Sequence, residues 1–325
     1  MITGRRLCAG AIALLCGSAG CAGVPEAPPV DPAVQRAQWN AWRTGRDAEL
    51  RAPGGPLSFT GLAWLPLSRP VTVGADSAQT IRLEGAGVPA LVGTLSRGAA
   101  LADSLVGFVS ADTTRVWVDG GHPERAMLRT DAAKASSRVE VGTAGLRLIR
   151  RGDSIGVRIW NVQHAALTRF VAVDTFALDA RWRVGARFEP YRRARVVRVM
   201  TEAGVEQDQT ALGELRFTLD GASRRLVAWA KPTDRELFIV FKDRTSGLES
   251  YGFRFLRVPR EPQAVKAARA GERPGPESLV LDFNFAYNPD CAFTTFATCP
   301  LPPRQNRLPV RVLAGERAYH AEVTP

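Results

Sequence analysis

The chain has 325 residues, 45% of them hydrophobic and 23% charged, which excludes a disordered polymer and leaves room for more than one hydrophobic core. Its net charge of +11 is written almost wholly as single arginines between apolar residues, such as Arg147, Arg158, Arg183 and Arg187. That spacing predicts solvated strand faces with at most a weak pull toward anionic lipid heads or acidic glycans, and it argues against a nucleic-acid partner, which would need a basic block interleaved with aromatics.

In chain order, Arg5 and Arg6 precede an apolar stretch over 7–19 and then Gly20-Cys21. A charged start, a short apolar run and a small-residue cleavage site predict an export signal over 1–20, too short to span a bilayer. Ser18-Ala19-Gly20-Cys21 resembles the lipobox of bacterial lipoprotein precursors, which implies a lipid on Cys21; Ala22 after it implies sorting to the outer membrane. The expected partner is then the membrane, and the expected address the periplasmic face of the outer membrane. Residues 21–32 carry four prolines without apolar periodicity and predict a semi-rigid, lipid-anchored tether.

Asp31-Pro32 suits an N-cap and first turn, Trp39 and Trp42 lie on one helical stripe, and Pro53-Gly54-Gly55-Pro56 ends the helix, so 33–56 reads as a helix and turn. Beyond it the apolar period falls to two. Strands are predicted over 57–65, 80–83, 115–118, 146–149 and 154–160, then over 182–188, 195–200, 215–219, 226–229, 237–241, 250–258, 279–283 and 308–313. Asp119-Gly120, Gly152 and Asp220-Gly221 supply hairpin turns. The fold class is therefore all-β: two antiparallel β modules of sandwich or barrel type, 57–165 and 166–325, preceded by one N-terminal helix. Residues 261–277, rich in proline and charge, read as a mobile loop. The first module's strand order resembles a forkhead-associated sandwich, which offers a phosphopeptide-binding module as the weakest functional alternative, since the Val73-Gly74 turn lacks the arginine such binders use.

Of the five cysteines, Cys8 and Cys16 leave with the signal and Cys21 takes the lipid. Cys291 and Cys299 remain, and in an oxidising envelope they predict a disulfide; no second Cys pair or neighbouring His completes a zinc set. His122, His164 and His320 are scattered without partnered spacing. Gly85-Ala-Gly87-Val-Pro89-Ala90 fits a dinucleotide fingerprint only formally, because Pro89 and the lack of a following helix remove the phosphate-binding helix terminus. No Walker loop, Gly-x-Ser-x-Gly elbow or His-Glu-x-x-His motif occurs, and no cofactor or metal is expected.

The densest chemistry lies in 279–303, a strand that breaks into a loop of aromatics, small polar residues and prolines. With its surroundings it offers three acids, Asp282, Asp243 and Glu316, as catalytic candidates, and Asn284, Tyr287, Asn288, Thr245 and Tyr251 as ligand-binding candidates. Paired carboxylates would serve glycoside hydrolysis; the same groups could equally tie down the backbone of a long loop.

Several dispersed motifs then converge: Gly61-Leu62-Ala63-Trp64-Leu65, Arg150-Arg151-Gly152, Phe241-Lys-Asp243-Arg-Thr245-Ser246-Gly247, Asp282-Phe-Asn284, Tyr287-Asn288-Pro289, Cys291-Ala-Phe-Thr, Cys299-Pro-Leu-Pro-Pro303 and Ala314-Gly315-Glu316. Together they resemble the bacterial domain-of-unknown-function family 1684, over roughly residues 38–319. One departure is Tyr251-Gly-Phe-Arg254, where the family usually reads Tyr-x-x-x-Arg. The resemblance implies no activity. The expectation is a non-enzymatic envelope lipoprotein that binds a small molecule or glycan or acts as a scaffold, with a carboxylate-dependent hydrolase of an envelope glycan as the alternative.

Overall fold

The computed structural model of the protein describes residues 23–66, 69–97, 105–133 and 135–319. The expected signal, Cys21 and His320 lie outside them. Helix α1 (Pro32–Arg51) starts where the sequence places it: the Asp31 carboxylate accepts from the Ala33 N–H at 2.7 Å, and proline occupies the first turn. It buries Gln35, Trp39, Arg46 and Leu50.

The first module is a sandwich of two five-stranded sheets. Its strands are β1 (Phe59–Trp64), β2 (Val71–Gly74), β3 (Ile81–Arg82), β4 (Gly93–Arg97), β5 (Leu105–Ser110), β6 (Trp117–Val118), β7 (Arg125–Arg129), β8 (Arg138–Val141), β9 (Ala144–Arg151) and β10 (Ser154–Asn161). One sheet runs β1-β10-β9-β8-β6, the other β3-β2-β4-β5-β7, and only the short β2–β3 pair is parallel. Val73, Leu95 and Phe108 face Val139, Leu146 and Val157 across one core. The β6 strand is shorter than 115–118. A short helix, α2 (Ala165–Arg169), follows, and Phe170 and Val173 pack on Leu50 and Leu57 beside the end of α1.

The second module is one six-stranded antiparallel sheet, β15-β14-β13-β12-β11-β16. Its strands are β11 (Arg183–Met200), β12 (Glu206–Leu219), β13 (Ala222–Trp229), β14 (Glu236–Phe241), β15 (Arg254–Pro259) and β16 (Glu277–Asp282). Asp220 and Gly221 have φ of 54° and 68°, the mirror-image turn whose twist matches the strands it joins. Both faces are covered. Phe188, Phe217, Leu237, Phe241 and Leu281 form one core, capped by Phe283 and by Leu308, Val310, Val312 and Ala314. On the other face, Trp229, Val240 and Phe255 lie under Ala297 and Cys299, from the loop after β16.

Four expectations change. Residues 308–313 form no strand although their alternation is real: the Leu308 N–H reaches Lys242 O at 2.8 Å, but the carbonyls of Val312 and Ala314 are taken by the Arg254 guanidinium. The expected strand over 250–258 begins only at Arg254, because its partner β14 ends at Phe241, directly opposite. Residues 261–277 are not a mobile loop, since helix α3 (Pro262–Arg269) buries Val265 and Ala268 and a buried Arg260–Glu277 ion pair of 2.7 Å closes its base. The proline-rich segment is not a free spacer over 24–28: Val24 packs on the second core, Arg183 donates to the Pro28 carbonyl, and a Cβ at Gly185 would stand 2.1 Å from the Pro25 carbonyl oxygen.

Candidate functional site

The loop after β16 is built from side chains that satisfy its backbone. Asp282 accepts from the Asn284 N–H at 3.0 Å and from Asn284 Nδ2 at 2.8 Å, opening a tight turn over Phe283–Phe285. Asn284, fully buried, also exchanges two hydrogen bonds with the backbone of Asp179, at 2.9 and 3.2 Å, and so clips the loop to the linker before β11. Asn288 donates from Nδ2 to the Arg317 carbonyl at 2.7 Å, and its N–H donates to Glu316 at 2.6 Å. Cys291 and Cys299 form the expected disulfide, with Cα atoms 6.2 Å apart.

The candidate acids part company. Asp243 takes Arg254 Nη2 at 2.6 Å, the Thr245 hydroxyl at 2.6 Å, the Thr245 N–H at 2.8 Å and the Val312 N–H at 3.1 Å, with both side chains of the ion pair fully buried. Glu316 takes Arg46 Nε at 3.1 Å; Arg46 also donates to the Asn288 carbonyl at 2.8 Å and lies 4.9 Å above the Tyr287 ring. Burial pushes the Glu316 carboxyl up, against the pull of Arg46 and the Asn288 N–H. Tyr251 donates to Glu202 at 2.8 Å, and burial, then Glu202, pushes its hydroxyl well above the usual range. Asp243, Thr245, Asn284, Asn288 and Glu316 therefore fasten the fold with the atoms a ligand would need.

A cleft of about 780 Å³ opens where α1, the ends of β9 and β10, β14–β16 and the disulfide loop meet. Its wall includes Asp282, Tyr287 and Cys299 from the sequence-based set; Asp243, Thr245, Tyr251, Asn284, Asn288 and Glu316 do not line it. Trp42, Phe238, Phe255 and Phe285 supply the remaining aromatic surface, and Arg151, Arg158, Arg257, Glu236 and Asp290 are among its charges. Trp42 meets Phe285 edge to face, with ring centroids 5.4 Å apart. Sequence reasoning left Trp42 on a core stripe and Arg158 on a solvated face. Arg158 is instead 5% exposed. One signal was available: residues 155–160 of β10 are buried on both faces, as the unbroken run Ile155-Gly-Val-Arg158-Ile-Trp160 suggests for a strand covered on two sides.

Asp282 is the one candidate acid on the cleft wall, and burial raises its pKa above the ordinary 3.8 while Asn284, Arg183 and Gln35 pull it back. The ionised form is thus disfavoured in the fold: its penalty is absent below the unfolded value, builds as pH rises from there to the raised one, and is complete above it. Asp282→Asn keeps an acceptor oxygen for Asn284 and deletes the charge. It should be at least as stable as the wild type at pH 7, and this advantage should vanish near pH 3.5, as urea midpoints at the two pH values will show. A variant less stable at pH 7 would mean that the carboxylate itself holds the turn.

Residues 168–317 match the model of the family described as "Protein of unknown function (DUF1684)". No curated protein matches the chain. Among solved structures, the chain is similar to the uncharacterized protein from gene locus rrnAC0354 of Haloarcula marismortui, determined by solution NMR: 31% identity over 46% of this chain and 78% of that one, with a TM-score of 0.38. It is also similar to the FHA domain of the CT664 protein from Chlamydia trachomatis, at 14% identity over 31% of this chain and 94% of that one, with a TM-score of 0.20.

Proposed function

This chain belongs to the DUF1684 family, whose description carries no activity, and we propose that it is a non-enzymatic envelope protein that binds a small ring-bearing ligand, such as a glycan fragment, in the cleft beneath the disulfide loop. The observation that carries this reading is the wall itself: about 780 Å³ of concave surface with Trp42, Phe238, Phe255, Phe285 and Tyr287 beside charged groups. Aromatic faces with a few placed polar groups are what sugar rings and small organic molecules bind. The hydrolase alternative, in the form expected from the sequence, loses support, because a glycosidase needs two carboxylates facing one bond and neither Asp243 nor Glu316, each paired with a buried arginine, lines the cleft beside Asp282. Export and a lipid on Cys21, holding the protein to the periplasmic face of the outer membrane, belong to the same proposal and rest on Arg5, Arg6, the apolar stretch after them and Ser18–Cys21.

The test is thermal melting of the wild type and Trp42→Ala against a panel of neutral and acidic glycan fragments. A ligand at a hundred times its Kd should stabilise the native state by roughly 2.7 kcal/mol, a shift of several degrees, and Trp42→Ala should lose most of it. An equal shift in both proteins, or none with any fragment, would remove the cleft from consideration.

A further inference from the structure

The face of the first module that meets the cleft carries a charge pattern the fold alone does not require. Arg138 on β8 stands directly opposite Arg147 on β9, and Arg147 directly opposite Arg158 on β10. Three like charges in register across three neighbouring strands destabilise a sheet; Arg138 turns to the Pro53 carbonyl and the Trp160 ring, while Arg158 reaches the disulfide loop at Thr298. Arg151, two pairs further along the same face of β9, extends it. Arg151 Nε and Arg158 Nη2 both donate to one hydroxyl, Thr298 Oγ1, at 2.7 and 3.2 Å.

The positive charge is balanced only in part, by Glu140 at 3.9 Å from Arg138. Arg151 reaches Asp131 at 2.8 Å, but among the described residues neither Arg147 nor Arg158 makes an ion pair, and their Nε atoms are buried without hydrogen-bond partners. Their cationic faces rest on Phe59, at 5.5 and 4.9 Å from its ring centre. Burial, then Arg147 and Arg151, drives the Arg158 pKa down to about 10, so near neutral pH the group remains a cation held against its surroundings. Asp290, also on the cleft wall, attracts both arginines from beyond ion-pair reach. Leaving a guanidinium buried without a counter-ion is costly, and such groups are kept where an anion completes them.

We infer that Arg151 and Arg158, joined through Thr298, form an oxyanion subsite of the cleft, which takes the carboxylate or phosphate of a ligand whose ring lies on the aromatic wall. This deepens the binding reading above by naming the chemistry of the ligand. Arg151 and Arg158 line the same cleft as Tyr287 and Phe255, so an acidic sugar or a sugar phosphate matches its mixed cationic and aromatic wall better than a neutral sugar.

Isothermal titration with inorganic phosphate, D-glucuronate and D-glucose, at matched ionic strength set by sodium chloride, tests it. The wild type should bind phosphate and glucuronate, and glucuronate more tightly than glucose. Arg158→Met should bind both oxyanions about tenfold or more weakly, while melting no lower than the wild type in oxyanion-free buffer because it deletes an unpaired buried charge. Arg158→Lys, which keeps the charge and loses the fork, covers the case in which the methionine variant does not fold, and should also bind more weakly. Asp290→Asn should bind more tightly, since it removes the acid that competes with the ligand. The inference is overturned if the wild type binds phosphate and glucuronate no better than chloride, or if the Arg158 variants bind as the wild type does. Binding of glucose with Trp42 dependence but without oxyanion preference would leave the cleft reading standing and end the subsite. Phosphate binding that requires Arg158, with no ring-bearing ligand sensitive to Trp42→Ala, would do the reverse.

Discussion

Replacing Asp243 by asparagine should destabilise the second module by about 3 to 5 kcal/mol, the usual consequence of removing one partner from a fully buried ion pair. Arg254 is fully buried, and Asp243 is the only carboxylate it contacts among the described residues. Its other bonds go to the Thr245 hydroxyl and to the carbonyls of Val312, Ala314 and Glu316, which tie the chain after Leu308 across the core. Asparagine strands the guanidinium and turns one acceptor oxygen into an amide donor, so either the Val312 N–H on Oδ2 or the Thr245 groups on Oδ1 lose their acceptor. Denaturant midpoints followed by tryptophan fluorescence report this module through Trp182 and Trp229, both buried in it. The double variant Asp243→Leu/Arg254→Met should lose less than Asp243→Asn, because replacing both charges leaves nothing ionised behind. A loss below about 1 kcal/mol in Asp243→Asn would return Asp243 to the list of functional acids.

The second large effect concerns the joint between α1 and the second module. Arg46→Met should cost about 3 to 5 kcal/mol near neutral pH, since Glu316, 1% exposed, would keep only the Asn288 N–H against its charge. The pH dependence has a definite sign. Glu316 already titrates above its ordinary 4.5 because of burial, and loss of Arg46 raises it further. Protonation neutralises the stranded acid, so the gap between wild type and Arg46→Met should narrow as pH falls through that raised value and widen as it rises. Urea midpoints at pH 4.5 and 7.5 measure it. A gap independent of pH would show that Arg46 acts mainly through stacking on Tyr287 and Phe293.

Arg254 also settles what the departure Tyr251-Gly-Phe-Arg254 means physically: the guanidinium lies at the start of β15 as the hub of a buried network, not at the cleft. Asn284 and Asn288 show why the polar loop looked like a site. Residues that hydrogen-bond backbone in a buried loop and residues that hydrogen-bond a ligand are the same types, and composition cannot separate them.

What the sequence by itself determined was local. Asp31-Pro32 started the helix, Asp220-Gly221 and Asp119-Gly120 turned hairpins at positive φ, and period-two apolar residues set the all-β class, because capping, turn conformation and alternation depend on neighbours a few positions apart. The Cys291–Cys299 bond was also legible, since the expected signal and lipid site claim the other three cysteines and leave that pair. Tertiary structure decided which acids are free and which arginines are not. Asp243 and Arg254 are close in sequence, yet their burial depends on Val312 and Ala314; Glu316 meets Arg46 from 270 positions away. Arg147 and Arg158 looked like solvated strand charges until the sheet face that carries them was covered by Thr298 from the far end of the chain. Charge, burial and partner are properties of the space around a side chain, and no pattern along the chain contains them.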